Sequence, residues 1–171
     1  MKFRDLVNIR DWTNNDFETV RNILITTWRD SYNFIPGKDL ITHLKKHYNQ
    51  DKIFDLIKNP DYKCVLAELE GKPVGLMKLH NNYLKDRFYI SSLYILPGYQ
   101  GIGIGKLLLE FAEKEASKFK YDRTWVGVMR DNREGLIWYK RHGFTFVEEK
   151  PFQMGTTKVL HLIGYKIIEP I

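Results

Sequence analysis

The polar and apolar positions of this chain change period several times, and each change marks an element. Leu6 to Arg10 reads as a short opening strand. Asn14 or Asn15 then offers an N-cap for a helix in which Phe17, Val20, Ile23, Leu24 and Trp28 recur at three-to-four spacing. Pro36-Gly37 marks a turn, and a second helical stretch runs through Leu40, Ile41, Leu44 and Tyr48. A short third stretch ends before Asn59-Pro60, because proline disfavours helical geometry in the residue ahead of it.

From Tyr62 the pattern becomes that of strands. Tyr62 to Gly71 and Lys72 to His80 are two extended runs with Gly71 near the turn, which predicts a hairpin. Arg87 to Leu96 is rich in aromatic and β-branched residues and predicts a third strand. A glycine-rich turn follows, then a helix from about Ile104 to Phe119 whose Ile104, Leu107, Leu108, Phe111 and Ala112 form one apolar stripe. Strand Thr124–Met129, helix Asn132–His142 and strands Phe144–Glu149 and Thr157–Ile167 complete the chain. The order is roughly β-α-α-β-β-β-α-β-α-β-β, an α/β (α+β) class with one mixed sheet and no internal repeat. At 171 residues the chain is expected to form one domain over its whole length.

Composition narrows the setting. The first ten residues mix charged and apolar types and lack the core of a signal peptide, and no apolar run approaches the ~20 residues that span a bilayer. The single cysteine, Cys64, cannot form an intrachain disulfide, so a cytoplasmic location follows by elimination. Lys and Arg outnumber Asp and Glu by 27 to 21, a formal charge of +6. Such an excess favours anionic partners, either nucleic acid or a phosphate-bearing cofactor. The basic residues are scattered rather than gathered in a tail, which weighs against nucleic acid.

The most informative segment is Gln100-Gly101-Ile102-Gly103-Ile104-Gly105-Lys106, between a strand and a helix. The first N–H groups of a helix lack partners within it and carry partial positive charge, so a glycine-rich approach can cradle a phosphate. Spacing excludes two familiar cradles. A P-loop ending at Gly105-Lys106 needs glycine at Gln100 and Ser or Thr at Leu107; a dinucleotide fingerprint starting at Gly101 needs glycine at Lys106. What remains is Gln-x-x-Gly-x-Gly, at Gln100, Gly103 and Gly105. It resembles the pyrophosphate-binding motif of the GNAT acetyltransferases.

A second segment, Asn132 to Phe144, resembles that family's Asn-x-x-Ala-x-x-x-Tyr-x-x-x-Gly-Phe signature, with Gly135 in place of alanine. Asn132, Gly135 and Tyr139 fall on one helical stripe, which suits a long ligand lying against the helix. The resemblance covers nearly the whole chain in element order, and residues 88–146 in specific motifs. Thr27 to Tyr32, Trp125 to Val128 and Phe152 to Gly155 look like the PaiA-type spermidine/spermine acetyltransferases, a branch of the family.

This resemblance implies a GNAT fold, with a mostly antiparallel sheet whose two central strands, Leu93–Leu96 and Thr124–Met129, splay around the pantetheine of acetyl-CoA. It implies direct acetyl transfer to a primary amine, a polyamine first among candidates, with no metal. The backbone N–H of Ile95 would act on the thioester oxygen and Tyr139 on the departing sulfur. Tyr94, Ile95, Leu96, Gln100, Gly101, Ile102, Gly103, Ile104, Gly105, Lys106, Asn132, Gly135, Trp138, Tyr139 and Arg141 would bind the cofactor, and Lys140 is a further phosphate candidate. Trp28 and Asp30 are the expected acceptor contacts, with Asp39, Glu148 and Glu149 as other acidic candidates. Such domains often pair, so a homodimer is a partner to test for.

Two other readings stay open: acetylation of a protein N-terminus or lysine, and a catalytically silent CoA-binding regulator. An amine of pKa ~10.4 is almost wholly protonated at neutral pH, yet the sequence names no base. Polyamine-acetylating relatives often carry an acidic residue where Ser91 and Ser92 stand here. His43 and His47 lie at i, i+4 on a helix but lack a third ligand, so a solvated face is expected rather than a metal site. Cys64 is expected in the core.

Overall fold

The computed structural model describes residues 2–169. Seven strands and five helices occur among them: β1 (Val7–Asp11), α1 (Phe17–Ser31), α2 (Gly37–His47), α3 (Gln50–Lys58), β2 (Tyr62–Leu69), β3 (Lys72–Asn82), β4 (Arg87–Ile95), α4 (Ile104–Lys118), β5 (Arg123–Met129), α5 (Arg133–Arg141), β6 (Thr145–Met154) and β7 (Thr157–Ile167). The short stretch before Asn59 is a full helix, so three helices rather than two separate β1 from β2. The strands form one sheet in the order β1-β2-β3-β4-β5-β7-β6. Every neighbouring pair is antiparallel except β4 and β5, which are parallel.

Both faces of the sheet are covered, which is why β2 and β3 carry near-continuous apolar runs. On one face Met77, Leu79, Phe88, Val126 and Phe144 pack with Leu108, Ala112 and Ala116 of α4. On the other, Leu66, Leu76 and Cys64 pack with Leu24 and Trp28 of α1, Leu40 and Leu44 of α2, and Ile53 of α3. Burial pushes the Cys64 thiol up to about 12, so it is a core residue and not a nucleophile. The buried stripe of α4 is wider than expected: Leu109 and Ala116 join it, whereas Leu107 is only half-buried.

The start of α1 differs from expectation for a stated reason. Thr13, not Asn14 or Asn15, opens the segment, its hydroxyl accepting from the Asn15 N–H at 3.3 Å. The nearly buried Asp16 accepts from the Thr13 N–H at 2.7 Å and from Arg10 Nη1 at 2.8 Å. This carboxylate anchors a short 3-10 turn to β1, and α1 begins only at Phe17. β1 is likewise displaced by one residue, because Leu6 closes another 3-10 turn.

Two features of the sheet position the site. In β4 the residue opposite Lys78 is Ser92 and the residue opposite Leu79 is Ile90, so Ser91 is a bulge. The β4–β5 ladder holds at Phe88, Tyr89 and Ile90 and extends no further. Bulge and end of pairing coincide, and beyond them the two strands part.

On the outer side of β4, Gly75 faces Ile95. A Cβ at Gly75 would lie 2.6 Å from the end of the Ile95 side chain and 2.9 Å from the Tyr94 carbonyl oxygen, which is backbone and cannot swing away. Gly75→Ala should therefore lower stability by about 1–3 kcal/mol in urea unfolding, the usual range for overpacking. Gly37→Ala, where a Cβ meets nothing within 4 Å, should stay within about 0.5 kcal/mol of the parent.

Candidate active site

Two cavities meet where β4 and β5 part. The first, of about 350 Å³, runs along Ile90 to Ile95 of β4, the Tyr99–Gly101 turn, Gly105 at the start of α4, and the Asn132, Gly135, Trp138 and Tyr139 face of α5. The second, of about 570 Å³, is lined by α1, α2, α3 and the β6–β7 hairpin. Tyr32, Ser91, Ser92, Tyr94 and Gly127 line both. Ser91 and Gly127 are the first residues past the last β4–β5 pair, so the opening between the cavities is the parting itself.

The glycine-rich turn has the form an anion cradle needs. Gly101 and Gly103 have φ of 77° and 103°, a backbone region that side-chain-bearing residues rarely adopt. Gly103 caps α4 without any side-chain hydrogen bond, whereas Asn49 and Asn132 cap α3 and α5. The N–H groups of Ile104, Gly105 and Lys106 precede the first helical bond, which runs from Leu107 to Gly103. Gln100 Nε2 donates to the Ile95 carbonyl at 3.0 Å, tying this turn to the end of β4.

The orientation of Ile95 follows from the ladder. Leu96 N–H donates to Val74 O at 2.8 Å, so that pair is of the bonded kind. Antiparallel pairs alternate, which turns the N–H and C=O of Ile95 away from β3 and toward the gap left by β5. An unpaired strand edge with an inward N–H is a donor poised for an oxyanion.

Tyr139 stands on the cavity wall with its ring edge-on to Trp138 and Phe144, centroids 5.0 and 5.2 Å away. Burial raises its phenol above the ordinary value of ~10, and Tyr94 adds to the shift. Tyr32 and Tyr94 share a hydrogen bond of 3.1 Å across the same opening; burial lifts Tyr32 to about 12 and Tyr94 well above its usual value. All three phenols are therefore protonated and neutral at pH 7.

Of the residues expected at the cofactor, Tyr94, Ile95, Gln100, Gly101, Gly105, Asn132, Gly135, Trp138 and Tyr139 line the first cavity. Others do not. Ile104 is buried in the core, Leu96 packs on the opposite face, and Ile102, Lys106, Lys140 and Arg141 are exposed outside the cavity. Two glycines have reasons other than ligand clearance. A Cβ at Gly105 would lie 2.7 Å from the Trp138 ring, and one at Gly135 would lie 2.5 Å from Asn132 Nδ2. Asn132 is the N-cap of α5, accepting from Gly135 N–H at 3.1 Å, rather than a free polar head.

The acceptor candidates need more correction. Trp28 lines the second cavity, but Asp30 is exposed on α1 and lines neither. Asp39 is nearly buried and bonded to Thr156 N–H at 2.9 Å and Thr157 Oγ1 at 2.6 Å, which holds its carboxyl below the usual range. Glu148 pairs with Arg87, and Glu149 faces Arg130 at 3.7 Å. His43 is half-buried, not solvated: it sits edge-on to Trp28, next to His47, and burial brings it down to about 4. His161, stacked on Phe152, is also brought to about 4 by burial. Among the described residues no group of three His, Cys, Asp or Glu is placed to hold a metal, and no helix is long and apolar enough to cross a membrane.

Residues 17–144 match the model of the acetyltransferase (GNAT) family. The chain belongs to that family. Membership makes it an acetyl-CoA-dependent N-acetyltransferase. An uncharacterized N-acetyltransferase in the pepI 3'region of Lactobacillus delbrueckii subsp. lactis is 27% identical over 69% of this chain and 72% of its own length. Spermidine N(1)-acetyltransferase of Thermoplasma acidophilum is 25% identical, over 86% of this chain and 98% of that protein. The crystal structure of PaiA N-acetyltransferase from Thermoplasma acidophilum, in complex with coenzyme A, superposes with a TM-score of 0.80 at 23% identity. It covers 95% of this chain and 99% of that one, and shows the same fold.

The turn yields a test. Gly103→Ala forces a side chain into φ of 103°, a strain of ~1–3 kcal/mol that the loop would relieve by opening the cradle. Calorimetry should find acetyl-CoA binding weakened by about tenfold or more. Gly98→Ala, with open space and no positive φ, should bind as the parent does.

Proposed function

We propose that the protein transfers the acetyl group of acetyl-CoA directly to a primary amine at the opening between β4 and β5. The observation that carries this is that Ile95 and Tyr139 line the same cavity, which meets the second one at Tyr94 and Gly127. The amides at the start of α4 and in the Gly101–Gly103 turn would hold the pyrophosphate, and the β4 edge would pair with the pantetheine arm. The cofactor supplies an acetyl group activated as a thioester.

The residues of the chain then divide the work. Ile95 N–H stabilises negative charge that develops on the acetyl oxygen. Tyr139 gives its phenolic proton to the sulfur as the new C–N bond forms and the C–S bond breaks. The second cavity holds the amine, with Trp28 and Tyr94 against it. His43 and His161 line that cavity, but burial holds each at about 4, which makes them weak bases, so the amine's proton leaves to water. The likeness to a spermidine N(1)-acetyltransferase makes a polyamine the first acceptor class to assay. A protonated phenol on the wall of the cofactor cavity supports an enzyme over a silent CoA-binding regulator.

Tyr139→Phe keeps the ring and its packing while removing the proton. It should lower kcat by about 10²–10⁴ and leave acetyl-CoA affinity nearly unchanged, since the phenol acts in the transition state. Because burial raises the Tyr139 pKa, the acid form persists as pH rises, and the parent rate should show no Tyr139-dependent fall between pH 7 and 10. Steady-state kinetics with direct binding would check both. A variant with undiminished turnover would remove Tyr139 as the acid.

A further inference from the structure

The second cavity carries a cation with no anion to match it. Lys78 lies in the middle of β3, opposite Ser92 of β4 and Cys64 of β2. Its side chain points to the α1–α3 face and lines the cavity. Among the described residues its one side-chain hydrogen bond is to the phenol oxygen of Tyr48, at 3.0 Å. A neutral phenol does not balance an ammonium group, and no ion pair to Lys78 forms among those residues.

The rest of the lining does not offset it. Lys52 adds a second cation, His43 and His161 are uncharged at pH 7, and Asp55 is the sole carboxylate among the lining residues. The acidic groups that a polycation would need are engaged elsewhere: Asp39 with Thr156 and Thr157, Glu148 with Arg87, and Asp30 in solvent. The chain as a whole carries a formal +6, which also repels a polycation at long range.

A half-buried ammonium whose one side-chain acceptor is a phenol oxygen, and which has no ion pair, still has donors to offer an anion. Lys78 sits one strand from the opening, since Ser92, its direct neighbour on β4, lines both cavities. An anion at Lys78 and an amine at the opening can therefore belong to one small molecule. Taking the second cavity as the acceptor site of the proposed transfer, we infer that the acceptor is a small amine bearing an anionic group, held at that group by Lys78. A carboxylate and a phosphate satisfy the same ammonium. A free amino acid and a peptide with an acidic first residue both present an amine a few bonds from a carboxylate.

The assay is thiol release from acetyl-CoA with glutamate, β-alanine, phosphoethanolamine, a tripeptide beginning with Asp, ethanolamine and spermidine. At least one anionic amine should exceed ethanolamine in kcat/KM, and spermidine should fall below it. The anionic arms separate carboxylate from phosphate, and free from peptide-borne. Lys78→Met, which keeps the stem and loses the charge, should raise KM for the best anionic amine roughly 10- to 100-fold. It should leave KM for ethanolamine and for acetyl-CoA near the parent values, and Lys78→Arg should restore most of the preference. Spermidine or ethanolamine matching the anionic amines would overturn the inference while leaving acetyl transfer intact. An equal rise in KM for charged and neutral amines in Lys78→Met would overturn it too. If no amine releases thiol although acetyl-CoA binds, the transfer reading fails together with this one.

Discussion

A parallel pair of strands buried in a sheet normally pairs along its length, because an unmade backbone hydrogen bond in the interior is unfavourable. β4 and β5 pair for three residues and then separate. The extra residue at Ser91 accounts for the separation: it bends β4 while its ladder with β3 resumes at Ser92 and continues to Ile95. One edge of β4 is thereby held and the other left open. The backbone of Ile95 thereby lies on the open edge.

Around that opening the polar groups are arranged by charge type. Three tyrosines kept neutral by burial stand at the opening or on the wall of the first cavity beside it. Toward α4 the field comes from helix amides and is positive, suited to pyrophosphate. Toward α1–α3 it comes from side chains, Lys78 and Lys52, and is again positive.

Much of this arrangement was legible from residue spacing. The periods of α1, α4 and α5 and the glycines before α4 reported helix faces and a turn, which are local properties. The bulge was not, since Ser91 and Ser92 carry no glycine or proline and the run around them reads as an unbroken strand. A pair of small polar residues within an apolar strand was the available hint. Lys78 was similarly marked, a lone charge in the run from Val74 to Leu79, yet its setting depends on Tyr48 arriving from α2. The settings of the acidic candidates were not legible because their partners are distant in sequence: Glu148 meets Arg87 of β4, and Asp39 meets the turn between β6 and β7. Gly105 and Gly135 were legible as small residues, but what fills the space beside them is Trp138 and Asn132.

Gly127 bears on how molecules pass through the protein. It is the first β5 residue beyond the paired stretch, it borders both cavities, and a Cβ there would lie 3.3 Å from His161 Nδ1 and 3.2 Å from Ile163. At this shared boundary β5 therefore contributes backbone alone. Any side chain at this position would narrow the passage between the two cavities, so the width of their connection is set by a residue that has no side chain of its own.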